Sequence, residues 1–174
     1  MTLSTAPRLV IVAALALLAL SGCAAPAATT DSPAPAAAAP EAESLTIADP
    51  WIKSAEMGMS AAFATLKNES DTDITVVSAE SSAATTIELH ETVEDDSGAM
   101  VMQQIEGGFI VPANGTYELA PGANHLMLRG LTAPLVAGVD STFTLTLSDG
   151  STVDFTAPAK DYSGANESYE ETAQ

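Results

Sequence analysis

One cysteine, five basic side chains and two histidines are all that this 174-residue chain carries of the residue types on which many binding and catalytic sites are built. The scarcity is informative. With a single cysteine there is no disulfide within the chain, and a blue-copper electron carrier, which needs a thiolate ligand, fails unless Cys23 is available to it. No G-x-S-x-G segment occurs, so a hydrolase built on a nucleophile elbow is unsupported. A zinc hydrolase would want a third histidine or a carboxylate, for which only Glu88 or Glu91 stands near enough in sequence. With 5 Lys+Arg against 23 Asp+Glu the formal net charge is −18, which repels nucleic acid and anionic lipid alike. These exclusions leave no enzyme class with a supporting motif.

The amino-terminal segment sets the compartment. Arg8 and the terminal amine form a thin basic region, followed by an apolar run from Leu9 to Leu20 that is too short to span a bilayer as a helix. Leu20-Ser21-Gly22-Cys23 then resembles a bacterial lipobox, whose cysteine is acylated and becomes the first mature residue. Residues 1–22 therefore read as a lipoprotein signal peptide and Cys23 as the lipid attachment site, placing the protein outside the cytoplasm on a bacterial membrane. Removing Arg8 leaves 5 − 1 = 4 basic residues facing 23 acids, so acyl chains and not charge supply the tether.

Residues 23–44 are Ala, Pro, Thr and Ser with a few acids, a composition that reads as an anchored linker. Residues 161–174 are polar and acidic and read as a disordered tail. Between them, 45–160 supplies about 115 residues, enough for one domain. That segment is expected to be all-β. Short runs of Thr, Val, Ile, Leu and Phe are separated by turn chemistry at Asn68-Glu69-Ser70-Asp71, Asp95-Asp96-Ser97-Gly98, Asn114-Gly115, Pro121-Gly122 and Asp149-Gly150. Phe143, Leu145 and Leu147 alternate with threonines ahead of the Asp149-Gly150 turn, the pattern of a half-buried hairpin strand. Ala61-Ala62-Phe63-Ala64 would tolerate a helix, but Asn68 and Ser70 follow at hairpin spacing, so a strand is expected there too. Eight or nine strands in one exported domain imply a Greek-key sandwich or barrel.

Both histidines stand near methionines. His90 precedes Met100 and Met102, and His125 lies two residues before Met127. In a strand, residues i and i+2 share a face, so His125 and Met127 present an imidazole and a thioether side by side while Leu126 and Leu128 face a core. Ile87 and Leu89 likewise leave His90 and Glu88 on the polar face. Methionine commonly fills core gaps, but Met127 shares its face with His125 and Arg129 and not with the leucines, so it is expected on the solvent side. Neutral soft donors of this kind suit Cu(I). Glu94-Asp95-Asp96 lacks the spacing of a calcium loop and reads as a solvated hairpin tip.

Pro50-Trp51-Ile52, Leu89-His90-Glu91, Met100-Val101-Met102, Pro112-Ala113-Asn114-Gly115, Pro121-Gly122 and His125-Leu126-Met127-Leu128-Arg129-Gly130-Leu131 together resemble the periplasmic copper A chaperone family, PCuAC, from about Leu45 to Lys160. The resemblance implies a cupredoxin-like fold and a Cu(I) site of two His and two Met, here His90, Met102, His125 and Met127, with Met100 as the alternative to Met102. It also implies copper delivery towards cytochrome c oxidase, to an oxidase subunit or by way of a Sco-type thiol protein. The intervals here are eleven residues between His90 and Met102 and twenty-two between Met102 and His125, each one longer than the family's usual pattern. An extra residue in the Glu94 to Gly98 turn accounts for the first. The tail holds neither His nor Met, so a second copper site there is not expected. The rival classes are a metal-free Ig-like scaffold or adhesion lipoprotein, and a copper storage or detoxification protein.

The anchor is directly testable. Cys23→Ser should release the protein from membranes or block its processing, and mass spectrometry of the native amino terminus should find Cys23 acylated. Cleavage elsewhere with an unmodified Cys23 would reject the lipoprotein reading.

Overall fold

A computed structural model describes residues 39–95, 97–164 and 168–169, so the signal segment, Cys23 and the linker up to residue 38 lie outside the described residues. Eleven strands follow in chain order: β1 Leu45–Lys53, β2 Met59–Asn68, β3 Ile74–Glu80, β4 Ala84–Glu94, β5 Met100–Gln104, β6 Phe109–Val111, β7 Thr116–Leu119, β8 His125–Leu131, β9 Asp140–Leu147, β10 Thr152–Lys160 and β11 Ser168–Tyr169. They run as one hydrogen-bonded path, β11-β5-β4-β8-β2-β1-β10-β9-β3-β6, with β7 pairing β2 off the path. The path doubles back, because β3 touches β4 while β6 touches β7 and β2. Two layers result, with one apolar core between them.

The β9–β10 hairpin forms where alternation and turn chemistry place it. Phe143, Leu145 and Leu147 are 0–1% exposed, Phe143 pairs with Phe155 in register, and Gly150 takes the left-handed φ of 82° that the turn requires. Each such buried side chain contributes about 1.5–3 kcal/mol from water exclusion alone. The alanine-rich segment is strand and not helix, as expected. β2 is interior to the sheet, paired with β1 on one edge and with β8 and then β7 on the other.

Two more strands exist than the upper expectation. The surplus is in short pieces: β6 and β7 flank Asn114-Gly115 yet pair with β3 and β2 respectively, crossing between layers instead of forming a hairpin with each other. Three or four residues are too few for alternation to register in a sequence. The packed domain also reaches past both expected edges, Leu45 and Lys160. Glu41–Glu43 form a 3-10 turn held on the β9–β10 turn, with the Glu41 amide donating to Asp149 Oδ2 at 2.8 Å and Ala42 to Ser151 Oγ at 3.1 Å. Beyond Lys160, Asp161 accepts from Ser54 Oγ at 2.7 Å, Tyr162 packs edge-on against Trp51, and β11 pairs with β5.

Trp51 is only half-buried. A bulge between Ala48 and Trp51, with Asp49 at φ 50°, re-aims the strand and turns the indole onto Phe63, ring centroids 4.5 Å apart.

Asn68 shows what a turn residue does when it is buried. At 1% exposure it donates to Thr72 O at 2.7 Å and Val111 O at 3.1 Å, and accepts from Ser70 N and Oγ. Asn68→Ala strands a buried carbonyl and should cost about 2–3 kcal/mol, read as a lower urea midpoint with an unchanged slope. A loss below half a kcal/mol would show that this network is not structural.

Candidate metal centre

Strand pairing, not sequence proximity, brings the two histidines together. β4 and β8 run antiparallel with His90 directly opposite His125, and their ring centroids lie 5.5 Å apart. Met127 follows two residues along β8 on the same face, opposite Ala61 of β2 and Glu88 of β4. Met102 arrives from β5, paired with Thr92, which sets it diagonal to His90 across the ladder. A cavity of about 210 Å³ has Met102, His125 and Met127 on its wall, with Met59, Phe63 and Lys53. His90, fully buried, does not line the cavity itself.

Met100 is 49% exposed and paired with Glu94 further out along β5, while Met102 is 8% exposed. Of the two, only Met102 shares the cavity with His125 and Met127. Met59 lines it as well, half-exposed, whereas Met57 points out at 81% exposure. Glu91 falls on the opposite face from His90 and accepts from Gln103. Among the described residues no three His, Cys, Asp or Glu side chains gather as a metal site. The wider depressions lined by Ser78 to Thr144 and by Ser54 to Asp161 hold no histidine.

The expectation that His90 and Met127 look out on solvent needs correcting. His90, His125 and Met127 are 0%, 2% and 5% exposed. β8 is buried on both faces, with Leu126 and Leu128 in the core and His125 and Met127 against the cavity wall supplied by β1, β2 and the segment between them. Polarity alone separates the two faces of such a strand and says nothing about what covers the polar one.

Hydrogen bonds hold each ring. His90 Nε2 lies 2.9 Å from Glu88 Oε2, and the other Glu88 oxygen accepts from Arg129 at 2.9 Å. His125 Nδ1 lies 2.9 Å from Ala123 O, which also accepts from Thr92 Oγ1. The second nitrogens, His90 Nδ1 and His125 Nε2, are buried. Tilted and edge-on ring contacts run outward from His125 to Phe63, Trp51 and Tyr162, with Lys160 Nζ 5.7 Å from the indole centroid. Burial pushes the His90 pKa down, against the opposing pull of the Glu88 carboxylate, and Arg129 lowers it further. Burial would raise Glu88, but its bonds to His90 and Arg129 outweigh that and hold it below the usual carboxylate range. Glu88 and Arg129 were not singled out as a pair from sequence. Their same-face spacing relative to His90 and Met127 was visible, but their contact needs the β4–β8 register, in which Arg129 pairs with Thr86, diagonal to Glu88.

With this geometry in place, a family model described as "Putative lipoprotein LpqE-like" matches residues 45–159. The chain belongs to the LpqE-like family. That family is grouped with the PCuAC domains, so the resemblance read from the motifs holds. The putative lipoprotein Lxx21020 of Leifsonia xyli subsp. xyli is 48% identical over 129 residues, 74% of this chain and 77% of that one. Among solved structures, the apo PCuAC domain from PmoF1 shares the fold with a TM-score of 0.58 at 18% identity, over 68% of this chain and 95% of that one. The Cu(I) form of DR1885 from Deinococcus radiodurans, a solution structure, gives a TM-score of 0.54 at 29% identity, over 72% of this chain and 85% of that one. The LpqE-like chain is all-β and cupredoxin-like, as expected.

The lowered His90 pKa has a stability consequence. Because the folded protein binds a proton at His90 less readily than the unfolded chain, whose ordinary value is 6.5, stability of the copper-free protein should fall as pH drops through and below that value. Urea midpoints at about pH 7.5 and about pH 5.5 check it, with His90→Asn expected to flatten the difference. A midpoint that rises on acidification contradicts the assignment.

Proposed function

We propose that this LpqE-like protein is an extracytoplasmic Cu(I) metallochaperone, lipid-anchored through Cys23, whose ligands are His90, Met102, His125 and Met127. One observation carries the reading: two imidazoles face each other across the β4–β8 ladder, and two thioethers approach from the same face. Two nitrogens and two thioether sulfurs are neutral and soft on balance, a set that retains Cu(I) and offers little to Mg²⁺ or Ca²⁺. The Cu(I)-bound state recorded for DR1885 supports the choice of metal.

Copper is cargo in this reading, and no substrate bond is made or broken, so the role is not enzymatic. Met59 leaves the cavity partly open to solvent, so a partner's ligand can enter before a ligand of this chain departs. The ion then moves by exchange, keeping its oxidation state. Thioethers suit an oxidising compartment, where exposed thiols are lost to disulfides. The proposed acceptor is a copper-accepting protein such as a cytochrome c oxidase subunit or a Sco-type thiol protein, and the alternatives are copper storage or detoxification.

His125→Ala and Met127→Ala should each weaken Cu(I) binding more than tenfold. Because these side chains are buried, their apo stability should fall as well, by about 2–4 kcal/mol, so unfolding curves must accompany the titrations. Met102→Leu, which keeps the volume, should weaken binding more than Met100→Leu. Unchanged affinity in the 125 and 127 variants, or the reverse order at 100 and 102, overturns the ligand set.

Delivery is tested in cells. A deletion strain should lose cytochrome oxidase activity at limiting copper and regain it when copper is added. Normal activity at limiting copper would argue for storage or detoxification, which survival under copper excess would then distinguish.

A further inference from the structure

The two histidines are held by different ring nitrogens. His90 Nε2 faces a carboxylate oxygen of Glu88, and His125 Nδ1 faces the carbonyl of Ala123, each at 2.9 Å. A carbonyl oxygen only accepts, and so does an ionised carboxylate, so each of these ring nitrogens must donate. A neutral imidazole has one N–H, and the lone pair then sits on the other nitrogen. We infer that the protein fixes its two histidines in opposite tautomers, so that His90 offers a soft metal ion Nδ1 while His125 offers Nε2, with Glu88 and Arg129 as the positioning residues for His90. The metal-binding half of this inference rests on the copper reading; the tautomers do not.

The two anchors differ in kind. Ala123 belongs to the backbone just ahead of β8, and its carbonyl also accepts from Thr92, so the His125 tautomer is set by the fold and is insensitive to side-chain substitution at a distance. The His90 anchor is a side chain held in turn by the Arg129 guanidinium, whose NH1 donates to Glu88 Oε1 at 2.9 Å. Arg129 and His90 thus grip the two oxygens of one carboxylate. Such a carboxylate partner raises the basicity of the opposite ring nitrogen and fixes the ring's angle, as carboxylate–histidine pairs do around other metal ions. The geometry also separates the donors. Nδ1 adjoins the Cγ of its ring while Nε2 lies at the ring's far side, so two residues opposite each other in register offer different ring nitrogens.

Long-range ¹H–¹⁵N correlation of the imidazoles in the ¹⁵N-labelled protein tests this, first without copper and then with one equivalent of Cu(I). The copper-free protein should show His90 as the Nε2–H tautomer and His125 as the Nδ1–H tautomer, and copper should then shift His90 Nδ1 and His125 Nε2. Both rings in the same tautomer, or copper shifts at His90 Nε2 or His125 Nδ1, would overturn the inference. Opposite tautomers with no copper shift at any ring nitrogen would reject the coordination together with the copper reading, leaving the hydrogen bonds as the only surviving element. Glu88→Ala should release His90 into a tautomer mixture and weaken Cu(I) binding by roughly 10–100-fold. Glu88→Gln, whose single acceptor oxygen can serve His90 or Arg129 but not both, should recover only part of either, and His125 should keep its tautomer in either variant, which reports that the fold is intact. Equal losses in the two variants with the His90 tautomer unchanged would mean that Glu88 acts only through packing.

Discussion

The register of β4 against β8 is the constraint on which the rest of the site depends. A slip of one residue in an antiparallel ladder moves every side chain to the other face, so it would set a leucine where a histidine stands. β8 is protected from such a slip on both sides. Leu126 and Leu128 are buried in the core and His125 and Met127 are buried against the cavity, so no shifted register satisfies either face. The arrangement of the proposed ligands is therefore held by the same packing that holds the sandwich, and its two buried imidazoles are each supplied with an acceptor oxygen.

Much of this was readable before the structure. Alternation at Phe143, Leu145 and Leu147, together with the Asp149-Gly150 turn, was enough for a hairpin, and the shared face of His125 and Met127 followed from the two-residue period of a strand. The ligand candidates His90, Met102, His125 and Met127 fall in one place, and the open choice at β5 acquires a physical basis in the burial of Met102 against the exposure of Met100. What could not be read is anything that depends on a third element. Burial of the polar face of β8 comes from β1, β2 and the turn between them. The Glu88–Arg129 contact joins residues 41 apart in sequence on two different strands, and the bulge between Ala48 and Trp51 depends on the pairing of β1 with β2. Strands as short as β6 and β7 carry too little pattern to announce themselves.

The scarcities of the chain and the chemistry of the site fit one another. The chain has a single cysteine, so a multi-thiolate copper site is not available within it, and its formal net charge of −18 disfavours nucleic acid and anionic lipid. What remains are a few soft neutral donors gathered from three strands, beside a cavity with a methionine at its exposed edge. A scaffold or adhesion domain would have no use for two opposed, hydrogen-bonded imidazoles in its interior, where a pair of leucines would pack at lower desolvation cost.

The most direct test of the account is the stoichiometry of Cu(I) binding, measured under anaerobic conditions by competition with a chromophoric Cu(I) chelator. One tight equivalent is expected in the native protein. Failure to compete with the chelator at all would contradict it and leave a metal-free β-sandwich lipoprotein in its place.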